Sequence, residues 1–224
     1  MAASQFPDRF PIFPLNVVLF PDVYLPLRMF EPRYRALTRD VLLGQRVIGM
    51  TLLKSGNSAP AVGPAHVFEV GCAGRITREQ EARDDSMHHI LLEGRRRFRL
   101  LDQELTQNGY ILARVELLDD PSFDELDHAV RAELSAVRPE LEQRMIEYVQ
   151  TGTQRGTDKL REGMRELDPV GLVHAIAFRI DCGLIEKQGL LEASNPLERA
   201  RLLIQLLDFQ LAGARLPERP QSIN

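Results

Sequence analysis

Alternating apolar residues mark the early part of the chain. In VYLPLRM, residues 23–29, the odd-numbered positions are all apolar and share one face of an extended strand, whereas Tyr24, Pro26 and Arg28 share the other. Further strand candidates lie at residues 46–53, 67–76, 88–101 and 111–118. Roughly five to seven short strands of this kind predict a small, closed or nearly closed β-structure.

Four prolines interrupt the apolar segment that spans residues 13–37: they are Pro14, Pro21, Pro26 and Pro32. Since proline has no backbone N–H, it is confined to strand edges, bulges, corners and the first turns of helices. We therefore expect short strands joined by fixed corners. The last corner is expected to turn a strand into one helix inserted among the strands, because proline is favoured at the first helical position.

The hydrophobic period changes from two to 3.6 in the second half of the chain. Ser122 and Glu125 have the spacing of a capping box, which predicts a helix that continues through about Tyr148 and is kinked or broken at Pro139. This change of period predicts that helices replace strands from this point onward.

Two more helix starts follow in the same half. Asp168 precedes Pro169, and Asn195 precedes Pro196, so each pair combines a good N-cap residue with a proline in the first turn. The whole pattern predicts an α+β fold with a β-rich N-terminal part and a C-terminal helical bundle. The predicted boundaries are residues 8–118 for the β-rich subdomain, 119–213 for the helical bundle and 214–224 for a polar tail.

Composition and charge are those of an ordinary globular protein. None of the 224 residues belongs to an apolar run long enough to span a membrane, and the N-terminus lacks the features of a signal peptide, so a soluble cytoplasmic protein is expected. The net charge is −4, with 15 Lys+Arg and 13 Asp+Glu in residues 1–118 against 13 and 19 in residues 119–224. Such a weak asymmetry does not indicate a nucleic-acid partner by itself.

The residue types that usually carry chemistry form no convincing motif. The segment GQRVIGMT resembles a phosphate-binding loop, but Met50 stands where the lysine is required. His88 and His89 are adjacent in a predicted strand and so point to opposite faces, and Cys72 and Cys182 are expected to be separate buried thiols. Paired acids such as Asp119-Asp120 are interpreted as solvated turn residues. No catalytic residue, metal ligand or cofactor is therefore predicted.

The run GRRRFRL is the one concentrated basic feature. An RNA-binding sheet would combine arginines with an aromatic residue in this way, and Arg95, Arg96, Arg97 and Arg99 would then contact phosphates. The simpler interpretation is a solvated strand. In it Arg95, Arg97 and Arg99 face solvent, while Arg96 or Phe98 turns inward. The small net charge of this half favours the simpler interpretation.

Several segments together resemble one known family. IFPLNVVLFPDVYLPLRMFEPRYRAL strongly resembles the opening signature of the N-terminal domain of the ATP-dependent Lon protease. GCAGRITR, LEGRRRFRL, DPVGLVHAIAFRI and EKQGLLEASNPLERARLLIQLL resemble later motifs of that domain, in the same order, so the resemblance extends from about residue 10 to 212. Residues of the opening signature are expected to have structural roles; they are Pro14, Leu15, Phe20, Pro21, Leu25, Pro26, Phe30, Glu31, Arg33 and Tyr34.

The resemblance implies a PUA-like β pseudo-barrel followed by a helical bundle, in agreement with the change of period. No ATPase or Ser-Lys protease motif accompanies it, so it implies a stand-alone, non-enzymatic module that captures polypeptides. Unfolded or client polypeptides, or a dedicated protein partner, are the expected ligands, and self-association is compatible with the family. RNA binding through the arginine strand is the alternative. An enzyme acting on a small molecule has no motif in its favour.

Overall fold

The computed structural model describes residues 6–54, 65–81, 87–152 and 157–214. The chain forms two compact units: residues up to Asp120 group with Gly183–Glu192, and Pro121–Cys182 groups with the residues from Ala193 onward. The predicted polar tail lies outside the described residues, except for Ala214, which ends the last helix. Among the described residues, no helix combines the length and the apolar character that crossing a membrane requires.

The first unit contains six strands and two of the helices within its described residues. One helix follows the second strand, and the other comes from much later in the chain. The elements are β1 (Arg9–Leu15), β2 (Tyr24–Met29), α1 (Pro32–Leu42), β3 (Val47–Leu52), β4 (Val70–Glu81), β5 (His88–Leu105), β6 (Ile111–Leu117) and α5 (Leu184–Glu192).

The strands form a closed sheet, as the alternation of apolar residues predicts. Their order is β2-β5-β4-β3-β1-β6, and a further pairing of β5 with β6 closes five of them into a barrel. The long strand β5 makes this possible, because its first half pairs with β2 and its second half with β6. The inserted helix α1 lies between β2 and β3 in the chain. The α+β fold with a β pseudo-barrel is confirmed.

Strand β1 contains two prolines although it has neighbours on both sides. Residues 9–12 pair with β6, whereas residues 12–15 pair with β3. Pro11 is therefore paired only towards β6, and Pro14 only towards β3. Each proline therefore has a neighbouring strand on one side only. Its position resembles the edge of a sheet, where a residue without a backbone N–H is tolerated.

The alternation along the strands determines which side chains form the barrel core. Strand β2 alternates between exposed and buried positions throughout, as predicted. In the interior, the rings of Phe10 and Phe98 meet edge to face with centroids 5.2 Å apart. Around them lie Ile12 and Val115 together with the other buried apolar residues of this cluster. Burying this set supplies the hydrophobic stabilisation of the barrel.

The second unit is helical, and its first helix starts later than predicted. The capping box of Ser122 and Glu125 is present, but it closes only a short 3-10 helix, Phe123–Glu125. Leu126 then adopts an extended conformation and is buried, and the Asp127 carboxylate accepts the Ala129 N–H at 2.9 Å. Two competing N-cap signals thus lie close together, and the second one starts the long helix.

This unit has four α-helices within the described residues, and the last two begin where their caps predict. The four are α2 (His128–Gly152), α3 (Thr157–Arg165), α4 (Pro169–Arg179) and α6 (Pro196–Ala214). The Asp168 carboxylate accepts the N–H groups of Val170 and Gly171 at 2.8 and 2.9 Å. Pro139 lies inside α2 without ending it, so of the expected kink or break, the break does not occur.

Candidate functional site

The proline corner between β1 and β2 is held by a glycine of β5. The Asp22 N–H donates to the Gly94 carbonyl at 2.9 Å, and the Gly94 N–H donates to the Val23 carbonyl at 2.8 Å. A Cβ atom at Gly94 would overlap the carbonyl oxygen of Phe20. Asp22 has a positive φ of 62°, which completes the turn. The corner therefore depends on a close approach of two backbones that only glycine permits.

The second corner, between β2 and α1, is held by Tyr34. Its ring packs on Phe13 with centroids 4.3 Å apart, and the Arg33 guanidinium lies 4.5 Å from the ring centre. Burial raises the pKa of the Tyr34 hydroxyl. Arg33 is also paired with Glu31 at 2.9 Å. Phe30, expected to help lock this corner, is instead 65% exposed, so it contributes little to the core.

Tyr34→Ala is expected to lower the free energy of unfolding by about 3 kcal/mol, because truncating a buried aromatic ring leaves a cavity. Urea unfolding followed by circular dichroism would measure the change. The matched control is Tyr24→Ala, since Tyr24 is 52% exposed and its loss leaves no internal cavity. Unfolding curves that coincide for Tyr34→Ala and the unmodified chain would show that the Tyr34 ring does not stabilise the core.

The arginine strand divides into one buried and three exposed side chains. Phe98 turns into the barrel core, so Arg97 points to the opposite face, as expected. That face is covered at this point, however, and Arg97 is buried instead of solvated. Its Nε donates to the Asp120 carboxylate at 2.9 Å, and its Nη1 donates to the Leu191 carbonyl of α5 at 2.9 Å.

Asp120 is correspondingly buried, with 5% of its side chain exposed, so its interpretation as a solvated turn residue was wrong. Its second carboxylate oxygen accepts the backbone N–H of Arg97 at 3.1 Å. The remaining arginines do lie at the surface, where Arg95 pairs with Glu93 at 2.6 Å and Arg96 donates to a backbone carbonyl. Arg97 is thus unavailable to RNA, and the basic surface is smaller than the run of arginines indicates.

The other candidate motifs have structural explanations. Met50, in the segment that resembles a phosphate-binding loop, lies in the buried strand β3. His88 is buried and His89 is exposed, which confirms that they point to opposite faces. Cys72 is buried, and burial raises the pKa of its thiol, whereas Cys182 is only partly buried. Within the described ranges, no three His, Cys, Asp or Glu side chains are placed to hold a metal ion.

An apolar groove of about 370 Å³ opens between α2, α3 and α4 of the helical unit. Met145 and Met164 line it and are almost fully buried, together with Ile176. Val149 and Leu160 are half-buried and also line it. Methionine-lined surfaces adapt to ligands of different shape, because the unbranched thioether side chain is flexible. The groove therefore has the size and the lining of a binding site for apolar groups.

One arginine holds the wall of this groove in place. Nη1 and Nη2 of Arg138, on α2, donate to the carbonyls of Leu167 and Met164 at 2.7 Å each. Its Nε donates to Glu142, also at 2.7 Å. The guanidinium thereby donates to one carbonyl in the last turn of α3 and to one just after that helix, and the Met164 carbonyl also accepts the Leu167 N–H at 3.3 Å. This contact joins α2 to the end of α3 beside the groove.

The groove has a basic edge. Lys159 and Arg179 are exposed residues that line it, and no acidic residue contributes to the lining. Neither cation has an ion-pair partner among the residues that the structure describes. No local sequence signal revealed this groove, because the pattern of an apolar helix face does not tell whether another element covers it.

A closed β-barrel unit and a helical unit place this chain in the α+β class of proteins. The family model of the ATP-dependent protease La (LON) substrate-binding domain matches residues 9–208. The chain belongs to this family. The resemblance inferred from the sequence motifs is thereby confirmed.

Curated relatives and solved structures agree with this assignment. Lon protease from Cytophaga hutchinsonii is 28% identical over 212 residues, which are 93% of this chain and 25% of that protein. Lon protease from Anaeromyxobacter dehalogenans is 29% identical over 209 residues, or 92% of this chain and 24% of that protein. The chain thus spans about a quarter of the length of these relatives.

Two solved structures share the fold. A Lon N-terminal domain protein from Xanthomonas campestris superposes with a TM-score of 0.60 at 24% identity, covering 90% of this chain and 98% of the other. The N-terminal domain of a Mycobacterium avium complex Lon protease gives a TM-score of 0.67 at 14% identity, covering 89% and 98%. At these identities the likeness establishes the fold.

Proposed function

We propose that this chain is a non-enzymatic module, located in the cytoplasm, that binds polypeptides with exposed apolar segments. The observation that carries the proposal is the match of residues 9–208 to a substrate-binding domain family, whose relatives here are proteases. The family model is described as a substrate-binding domain, and this chain spans about a quarter of the length of those proteases. The apolar groove of the helical unit offers a surface suited to such ligands.

RNA binding receives less support. Arg97 is buried and paired with Asp120, and Arg95 is paired with Glu93. A phosphate-binding strand would instead present its arginines together on one accessible face. The polypeptide function is therefore the one that we carry forward to experiment.

The test is a fluorescence anisotropy titration with reduced, carboxamidomethylated α-lactalbumin, which is permanently unfolded. Native α-lactalbumin is the matched control, because it has the same sequence in a folded state. We expect saturable binding of the unfolded form only, with an affinity that changes little between about 50 and 200 mM salt.

A labelled single-stranded RNA is titrated in parallel. Binding of RNA that weakens steeply with salt, without binding of the unfolded protein, would replace the polypeptide function by the RNA alternative. Equal binding of native and unfolded α-lactalbumin would also contradict the proposal, because it would show no preference for exposed apolar segments.

A further inference from the structure

We propose that the groove between α2, α3 and α4 binds a short apolar segment flanked by an acidic residue, whose carboxylate contacts Lys159 and Arg179. This inference rests on the proposed polypeptide-binding function and names the surface and the kind of segment that it recognises. The occupant is a segment of another polypeptide in extended or irregular conformation.

The size of the groove fits apolar side chains. A cavity of about 150 Å³ accommodates a benzene ring. The groove measures about 370 Å³, so it has room for roughly two large apolar side chains. Its lining residues come from one face of each helix: Met145 and Val149 are one turn apart on α2, and Leu172 and Ile176 are one turn apart on α4.

Gly163 lines the groove on the side of α3. A Cβ atom at Gly163 would have no heavy atom within 4 Å, although the residue lies inside a helix where glycine is unfavourable. An ordinary side chain at this position would improve the helix and extend into open space beside the groove. Glycine therefore makes α3 less stable than most other residues would, and it leaves room for a ligand beside the helix.

Charge complementarity selects the acidic flank. Lys159 and Arg179 line the groove, and neither has a carboxylate partner among the described residues, although residues 119–224 contain 19 acidic and only 13 basic residues. An apolar segment with an adjacent Asp or Glu would bury its side chains between the helices and pair its carboxylate with these cations. A segment flanked by lysine would bring like charges together, which weakens binding.

The experiment uses two fluorescein-labelled peptides with the same Leu- and Phe-containing centre, one flanked by glutamates and one by lysines. We expect the unmodified chain to bind the glutamate peptide about tenfold more tightly than the lysine peptide at low salt. Gly163→Leu, which adds a large side chain to the lining of the groove, is expected to weaken binding of the glutamate peptide at least tenfold. Its melting temperature should not fall, because leucine favours the helix.

The matched control for filling the groove is Gly189→Leu. Gly189 also lies inside a helix with open space around it, but it belongs to α5 and lines no part of the groove. Lys159→Glu tests the charge and should reduce the preference for the glutamate peptide about tenfold, and Arg161→Glu is its control. Arg161 is an exposed cation of the same helix that does not line the groove.

The outcomes separate the two proposals. If unfolded α-lactalbumin binds the unmodified chain and Gly163→Leu equally well, the groove is not the site, while the polypeptide function stands. If Gly163→Leu abolishes binding but the two peptides bind alike, the acidic flank is wrong. Loss of binding in Gly163→Leu and retention in Gly189→Leu, with a preference for glutamate that Lys159→Glu removes, would support the whole inference.

Discussion

Replacing Asp120 with alanine is expected to lower the free energy of unfolding by about 3 to 5 kcal/mol, because it leaves the buried guanidinium of Arg97 without its counter-charge. Both side chains are almost fully buried, at 3% and 5% exposure. The same carboxylate also accepts the backbone N–H of Arg97, so two hydrogen bonds are lost together. Urea unfolding monitored by circular dichroism would measure the loss.

Arg95→Ala is the control for this experiment. Arg95 pairs with Glu93 on the same strand, but about half of its side chain is exposed, so we expect a change of at most about 1 kcal/mol. A further variant, Arg97→Met with Asp120→Leu, removes both charges and should recover only part of the stability. The carbonyls of Leu191 and Asp119 would still lose the donors that Arg97 provides.

An Asp120→Ala chain as stable as the unmodified one would show that the ion pair does not hold the barrel and α5 segment together.

Gly94→Ala is expected to cost about 3 kcal/mol, because a single methyl group would overlap the Phe20 carbonyl and push the proline corner away from β5. Two backbone hydrogen bonds, to Asp22 and Val23, would be strained at the same time. The midpoint of thermal unfolding would report the change.

Gly44→Ala provides the comparison for Gly94→Ala. The nearest heavy atoms to a Cβ at Gly44 are 3.8 Å away, an ordinary van der Waals distance, so this change should leave the midpoint nearly unaltered. Equal midpoints for the two variants would contradict the close packing of the corner on β5.

Local patterns predicted most of the elements of this fold. The alternation in β2 and the caps at Asp168 and Asn195 depend on residues close in the chain, and the structure has the expected strand and helices there. The start of α2 was misplaced because Ser122 and Asp127 are both good caps, and the burial of Leu126 favours the second. A local pattern cannot decide between two valid signals so close together.

The environment of the arginine strand could not be predicted in the same way. The pattern correctly places Phe98 inward and Arg97 outward, but the segments that cover Arg97 lie more than twenty residues away in sequence, at Asp120 and Leu191. The groove posed the same problem, because the apolar faces of α2, α3 and α4 look alike whether or not they are covered. Both features depend on contacts between distant parts of the chain.

The membership of α5 in the barrel unit has a consequence for any attempt to divide the protein. The polypeptide passes from one unit to the other after Asp120, after Cys182 and again after Glu192. A fragment cut at residue 120 would lack Leu191 and Gln188, which bond Arg97 and the Val70 carbonyl. If a single recombination crossover at residue 120 joined this chain to a relative, the two halves of these hydrogen bonds would come from different proteins. Grafting one unit therefore requires joining two non-contiguous pieces of the gene.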